Sequence, residues 1–232
     1  MTEVILPPQF RAENLFPFVK RQFGTLDAIP DNLEFDFSRL RFVRPSGIVF
    51  LSNFTKYLVR NGCRVTYSGM QMHSPAIKFL DDSKFFEQHL GASLEPNVQP
   101  RSTTRPLVEI RHTESHAWTG FELVPWLSGC SGVPEDDLAE FRTCISEIFN
   151  NIKDHTEFDV GSVFAQWYPN EHRLESALAD FGAGIPSTVR RVDADLNDNE
   201  AIVRAFEDGF SSKSTPQNRG AGLHYLRQNV VQ

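Results

Sequence analysis

Cysteine is scarce in this sequence: Cys63, Cys130 and Cys144 are its three cysteines, and no two of them have C-x-x-C spacing. An odd number of separated cysteines does not indicate a disulfide framework, and the missing C-x-x-C spacing gives no sign of a zinc site. We therefore expect small, buried or half-buried cysteine side chains without a redox or metal role.

Long apolar runs are also missing, and the amino terminus has neither a basic flank nor the apolar core of a signal peptide. We therefore expect a cytoplasmic protein with no membrane partner. The net charge of −7 disfavours a main surface built for nucleic acid, because such surfaces are basic. With 232 residues, of which 40% are hydrophobic, the chain can form two ordinary globular domains.

Two absences concern ligands directly. The P-loop pattern G-x-x-x-x-G-K-S/T does not occur, so a nucleotide would have to be held in another way. His112 and His116 are four positions apart and could chelate a metal in a helix. However, Thr119-Gly120 follow at once and no third ligand is evident, so no metal site is predicted there.

The first half of the chain alternates short strands and helices. A breaker cluster, Arg44-Pro45-Ser46-Gly47, precedes an apolar-periodic helix that Asn61-Gly62 should end, because glycine tolerates a left-handed conformation. The other predicted elements are strands at Glu3–Leu6, Leu33–Phe37 and Arg64–Tyr67 and helices at Arg11–Phe23, Pro75–Leu80 and Lys84–Leu90.

This order of elements resembles a STAS domain, the fold of anti-sigma-factor antagonists, over about residues 31 to 91. The family's turn usually reads Asp-Ser-Ser/Thr-Gly, with the phosphorylated serine directly after the aspartate. Pro45 holds the serine position here and has no hydroxyl, so the phospho-switch should be absent. Ser46 has a hydroxyl that could accept a phosphate, but we expect it to cap the helix. We predict a STAS-like module at residues 1–95 that docks a protein partner or packs, followed by a proline-punctuated linker at 96–106.

After Pro134 a second helix is indicated by apolar residues at spacings of three and four: Leu138, Phe141, Ile145, Ile148 and Ile152. Glu147, Asn151 and His155 recur at steps of four on a different face. A carboxylate, an amide and an imidazole are thus presented together and could hold a metal ion and a water. Taken alone, the same row also fits an ordinary polar helix face.

Two glycine-rich patterns follow this helix. Asp180-Phe181-Gly182-Ala183-Gly184 has the form D-x-G-x-G, and Gly220-Ala221-Gly222 opens a last helix. Each alone could be a plain turn or helix start. The order E-x-x-x-N helix, D-x-G-x-G and G-x-G resembles the ATP-binding domain of DNA gyrase, histidine kinases, mismatch-repair ATPases and anti-sigma-factor kinases. This is the GHKL superfamily, and the resemblance runs from about residue 134 to the end.

The resemblance implies an α/β (α+β) protein: the STAS-like α/β module, the linker, and a GHKL (Bergerat-type) α/β sandwich at 107–232. The family continues for two or more strands after the last glycine helix, whereas this sequence stops at Gln232. We therefore expect the sandwich to lack its last strands, unless the natural chain is longer or another chain covers that edge of the sheet.

The resemblance also implies site residues for ATP and Mg²⁺. Glu147 matches the general base and Asn151 the magnesium ligand. Asp180 matches the aspartate that accepts a hydrogen bond from the adenine amino group, while Gly182 and Gly184 let the backbone pass close to the base.

The remaining expected contacts are to phosphate. Backbone N–H groups at Gly220 and Gly222 would face the phosphates from the start of the last helix. The segment between Pro186 and Arg219 would form a lid, with a capped helix starting at Asn197 and Lys213 touching phosphate. His155 would touch phosphate or cap carbonyl groups.

Three functions remain open from the sequence. The first is an ATPase or serine-kinase-like phosphotransferase in bacterial regulation; a sensor histidine kinase is disfavoured, since no helical hairpin with a phosphoacceptor histidine precedes the domain. The second is a nucleotide-gated interaction module without useful catalysis, and the third a structural adaptor that binds no nucleotide. ATP and a protein partner are the expected partners, and a homodimer is compatible with this interpretation.

Overall fold

The protein is described by a computed structural model for residues 2–24, 28–156, 159–207, 209–210, 223 and 226–227. Its fold is mixed α/β, as expected from the sequence. The chain divides into two compact units, one made of Met1–Glu109 and Ser162–Ala179 and the other of Ile110–Gly161 and Asp180–Gln232. Among the described residues, no helix is both long enough and apolar enough to cross a membrane.

The first unit contains strands of three sheets, two of them three-stranded and one two-stranded, with helices between and around the strands. Its elements, including strands that cross its borders, are β1 (Thr2–Ile5), β2 (Gln9–Phe10), α1 (Ala12–Phe23), β3 (Asn32–Asp36), β4 (Phe42–Val43), α2 (Pro45–Arg60), β5 (Arg64–Ser68), α3 (Pro75–Asp82), α4 (Phe85–Leu90), β6 (Thr104–Arg111), β7 (Val160–Tyr168) and β8 (Arg173–Ala179). Strands β1, β3 and β5 pair in parallel in the order β1-β3-β5, and β2 pairs with β4. The second three-stranded sheet has the order β6-β7-β8, with β7 and β8 antiparallel.

Helix α2 contacts strands of both large sheets, β5 on one and β8 on the other. This is possible because α2 is apolar on more than one side: Ile48, Val49, Leu51 and Leu58 are all buried. Gly47, in its first turn, allows a close approach to the preceding chain, since a Cβ there would lie 2.4 Å from the carbonyl oxygen of Phe10. Leu107 of β6 and Phe164 of β7 belong to the same hydrophobic core as these α2 residues.

The second unit is mainly helical in its described part. Its helical elements are α5 (His112–Trp118), which continues through a π-helical segment (Thr119–Leu123) into α6 (Val124–Ser131), then a 3₁₀ turn (Glu135–Leu138), α7 (Ala139–His155), α8 (Ile185–Val189) and α9 (Asp198–Ala205). Helices α5 and α7 pack together, with the rings of Trp118 and Phe149 6.4 Å apart. The helix therefore continues past Thr119-Gly120, which the sequence had suggested as a break.

Several local predictions are confirmed. Helix α2 ends at Arg60 with Asn61 as its C-cap, and Gly62 follows with a positive φ of 86°. The capped start of α9 is present: the side chain of Asn197 accepts the N–H of Glu200, and the carboxylate of Glu200 accepts the N–H of Asn197.

Other predictions are wrong or differ in detail. Ser46 does not cap α2, because the helix starts at Pro45 and Arg44 holds the cap position without a side-chain hydrogen bond. The predicted 96–106 linker overlaps β6, which begins at Thr104. The two compact units also differ from the predicted boundaries, because residues 162–179 join the amino-terminal residues in one core.

Candidate functional site

Helix α7 presents the first group of predicted site residues. Its buried face consists of Cys144, Ile145, Phe149 and Ile152, so the row of Glu147 and Asn151 lies beside the core. Both side chains are half-buried, and residues four apart on a helix lie on the same face. The carboxylate and the amide are therefore neighbours one turn apart. His155 is the last residue of α7, and its side chain lies outside the described part of the structure.

Burial keeps the one thiol on this stretch of α7 protonated. Burial is the largest cause of the raised pKa of Cys144, and the negative charges of Glu140 and Glu147 raise it further. Because the thiolate is the reactive form of cysteine, Cys144 is not poised as a nucleophile.

The second group of predicted site residues lies in the turn after β8. Asp180 follows directly on this strand, and its carboxylate Oδ1 accepts the backbone N–H of Gly182 at 2.6 Å. Gly184 has φ 82° and ψ 158° and precedes α8. A side chain there would be strained, because this backbone region is essentially restricted to glycine. The D-x-G-x-G segment thus forms a turn with a fixed carboxylate orientation, and Asp180 belongs to the same compact unit as Glu147 and Asn151.

Helices α8 and α9 follow this turn as the described part of the predicted lid. They pack on a small core of Val189, Ala201 and Ala205, with Leu196, Phe210 and Leu223 against it. Ion pairs of Arg190 with Asp198 and of Arg204 with Asp193 hold the connection between them. This segment therefore has packing of its own. Lys213, Gly220 and Gly222, the predicted phosphate contacts, lie outside the described residues.

Asn151 is the residue predicted to hold magnesium. In the described part of the chain, no three His, Cys, Asp or Glu side chains are grouped so that they could hold a metal. Magnesium prefers oxygen ligands, retains several waters and is commonly bound through one or two protein groups together with substrate phosphates. The amide oxygen of Asn151 is a ligand of that kind.

A cavity of about 570 Å³ lies on a neighbouring face of α7, between this helix, α5 and the residue before β7. Ser146, Asn150 and Lys153 form its α7 wall, at spacings of four and three. At 100° per residue, these positions are displaced around the helix from Glu147 and Asn151, so the cavity is separate from that pair. His112 and His116 of α5 contribute to its opposite wall.

The sequence did not single out this cavity as a site. The three-and-four spacing of Ser146, Asn150 and Lys153 is a local signal that could have been noticed, but Asp159, which also lines the cavity, has none. Comparisons with known protein families, with curated proteins and with solved structures found no match to this chain.

Proposed function

We propose that this protein binds Mg-ATP in the manner of the GHKL superfamily and acts as an ATPase or a serine-kinase-like phosphotransferase. The observation that carries the proposal is the turn at Asp180. Helix α7 is followed by the β7–β8 hairpin, and the hairpin ends directly at a carboxylate held by the N–H of Gly182. This is the order of elements in the resemblance, from the E-x-x-x-N helix to the D-x-G-x-G turn.

Asp180 supplies base selectivity in this proposal. Its carboxylate accepts a hydrogen bond from the amino group of adenine, and the bond from Gly182 limits the orientations of the carboxylate. Guanine presents a carbonyl oxygen at the corresponding position. Placing that oxygen against the carboxylate leaves two acceptors facing each other, at a cost on the order of a few kcal/mol.

Glu147 and Asn151 have the catalytic and the metal-binding role in this proposal. Asn151 would hold magnesium through its amide oxygen, and the bound ion would neutralise charge on the phosphates. Glu147, one turn earlier on α7, accepts the proton of the water or hydroxyl that attacks the γ-phosphorus. Its half-buried position limits competition from solvent while leaving the carboxylate accessible.

The first unit is STAS-like in this proposal and offers a surface for a protein partner. Pro45, at the position of the family's phosphorylated serine, is buried at the first position of α2. A phosphate at this position is therefore ruled out by chemistry and by burial. This favours a second candidate function, in which ATP binding controls a protein interaction and no phosphate is transferred at a useful rate.

Thermal unfolding with Mg-ATP, with Mg-GTP and without nucleotide tests binding. ATP at a hundredfold over its dissociation constant adds about 2.7 kcal/mol of stability, and GTP much less. Asp180→Ala should abolish the ATP effect. Asp195→Ala, which removes an exposed carboxylate from the connection between α8 and α9, should retain it. An equal response of the two variants, or none in the native protein, overturns the proposal.

Measuring the release of labelled γ-phosphate then distinguishes an enzyme from a nucleotide-gated interaction module. Glu147→Gln should bind ATP as the native protein does but turn it over about a hundredfold more slowly. Glu140→Gln removes an exposed carboxylate from the first turn of the same helix and should keep the native rate. Equal rates for the two variants would count against the catalytic role of Glu147, and no release by the native protein would favour nucleotide-gated interaction.

A further inference from the structure

The cavity between α5 and α7 is lined by hydrogen-bond donors from both helices. Lys153 is exposed, and its ammonium forms no ion pair with a described residue. His112 and His116 lie one helical turn apart on α5, and His112 Nε2 is 3.2 Å from Asn150 Oδ1. These donors therefore favour an anionic group in the cavity.

Asp159 adds a hydrogen-bond acceptor to the lining of this cavity. Its backbone is fixed in the left-handed region, with φ 49°, by two hydrogen bonds. The Asp159 N–H donates to the hydroxyl of Thr156 at 3.2 Å, and the Asp159 carbonyl accepts the N–H of His112 at 3.2 Å. Its carboxylate Oδ1 is shielded from solvent and accepts no hydrogen bond from the described residues.

A buried carboxylate oxygen without a donor is unfavourable and rare in proteins. Left-handed backbone at a residue other than glycine is also uncommon and is found more often at binding sites. Both features occur at one residue that lines a cavity of about 570 Å³, a volume typical of small-molecule sites.

The hydroxyls in the cavity narrow the choice of ligand. Ser115 already donates to the carbonyl of His112 at 2.7 Å, and Ser146 donates to the carbonyl of Arg142 at 2.9 Å. Each hydroxyl proton is thus committed, so neither side chain can satisfy Asp159 Oδ1 without breaking its own hydrogen bond. A molecule in the cavity that carries a donor would supply the hydrogen bond that these two serines do not give to Asp159 Oδ1.

We propose that this cavity binds a small organic anion, a phosphate monoester or a carboxylate, that also carries a hydroxyl or ammonium donor. The anionic group pairs with Lys153 and the α5 histidines, and the donor reaches Asp159 Oδ1. The site is separate from the row of Glu147 and Asn151 and does not depend on nucleotide binding.

Titration calorimetry with four probes tests the proposal. Glycerol 3-phosphate and glycerate carry an anion and hydroxyls, while methyl phosphate and propionate carry the anion without a hydroxyl. We expect millimolar or tighter binding of at least one hydroxylated probe, about tenfold tighter than its partner without a hydroxyl. Comparing the two phosphate probes with the two carboxylate probes shows which anion the cavity prefers.

Two variants locate the binding. Asp159→Gly keeps the left-handed backbone accessible and should abolish the preference for hydroxylated probes. Lys153→Gln, on the surface, should weaken the binding of every probe that binds. Lys78→Gln, which changes an exposed lysine of α3, should leave the binding of every probe unchanged.

The proposal is overturned if no hydroxylated probe binds at millimolar concentration, or if both cavity variants bind as the native protein does. It is also overturned if hydroxyls make no difference in the native protein. Thermal unfolding of Asp159→Gly shows whether this variant is folded. If it is not folded, probe binding by Lys153→Gln alone tests the proposal. If the protein does not bind ATP, the inference about this cavity is unaffected.

Discussion

The guanidinium of Arg44 lies 2.8 Å from the carboxylate of Glu175, although the two residues are 131 positions apart in the chain. Arg44 precedes the first turn of α2, and Glu175 is in β8. The same guanidinium lies over the ring of Tyr168 at 4.8 Å. The ion pair and the ring contact together join α2 to the hairpin of β7 and β8 within the first unit.

Arg44→Ala should lower the free energy of unfolding by about 2 kcal/mol, because it removes both a half-buried ion pair and a cation–π contact. Glu175→Ala should lower it by about 1 kcal/mol, since Tyr168 keeps its contact with Arg44. Denaturant unfolding of both variants and of the double variant gives their interaction energy, which we expect to be about 1 kcal/mol. Strictly additive effects would show that the pair contributes nothing.

His89 should make the protein less stable in mild acid. Burial, and secondarily the charge of Lys56, lower the pKa of His89 to about 4 from 6.5. Its Nε2 is 2.9 Å from the hydroxyl of the buried Ser52, and its ring is 4.6 Å from that of Phe85. Between these two pKa values the unfolded chain binds a proton that the folded chain does not. Stability therefore decreases as the pH falls through this window, by up to about 3 kcal/mol.

Denaturant unfolding across that pH window measures the contribution of His89. His89→Gln should flatten the pH dependence, even though the variant loses packing against Phe85. His73→Asn, which changes an exposed histidine of the same unit, should keep the native slope. An unchanged slope in His89→Gln would mean that other groups cause the acid sensitivity.

Asp81→Ala should be strongly destabilising, by about 3 kcal/mol, because it leaves two backbone N–H groups without acceptors. The buried carboxylate of Asp81 accepts the N–H of Leu94 at 2.9 Å and that of Glu95 at 3.1 Å. Asp82→Ala is the matched control. Asp82 pairs with the exposed Arg101, and losing that pair should change stability by less than about 1 kcal/mol. Similar losses from the two substitutions, measured by denaturant unfolding, would contradict this account.

Gly161→Ala should destabilise the second unit by about 1–3 kcal/mol through overpacking. A Cβ at this position would lie 2.7 Å from Ile152 Cδ1 and 3.2 Å from Phe149 Cε1. Ile152→Val removes the Cδ1 atom, so the double variant should lose less stability than the sum of the single variants. Gly129→Ala, in α6 with open space around it, should stabilise by about 0.5–1 kcal/mol. Additive losses in thermal unfolding of the double variant would reject the packing explanation.

The features that were predictable from the sequence depend on neighbours in the chain. The start of α9 depends on Asn197 and Glu200, three positions apart, and the end of α2 on Asn61 and Gly62. The shared face of Glu147 and Asn151 follows from helical periodicity alone. In each case the determining interaction lies within one helical turn, so periodicity and capping rules are sufficient.

The features that were missed depend on contacts between distant segments. A strand such as β8 has the same sequence signature whichever helix covers it, so its packing on α2 could not be inferred. The cavity likewise requires α5, α7 and Asp159 to meet, and the left-handed conformation of Asp159 is fixed by the distant His112. The membership of residues 162–179 in the first unit depends on such contacts as well.

The discontinuity of the first unit has a consequence for synthesis on the ribosome. Residues 162–179 belong to its core but emerge only after the whole of Ile110–Gly161 has been translated. At about 5–20 residues per second, the nascent amino-terminal segment waits for some seconds with the apolar surface that later receives Phe164 and Ala177 uncovered. A nascent chain in that state is a substrate for chaperones, and stalled translation within this interval would leave it prone to aggregation.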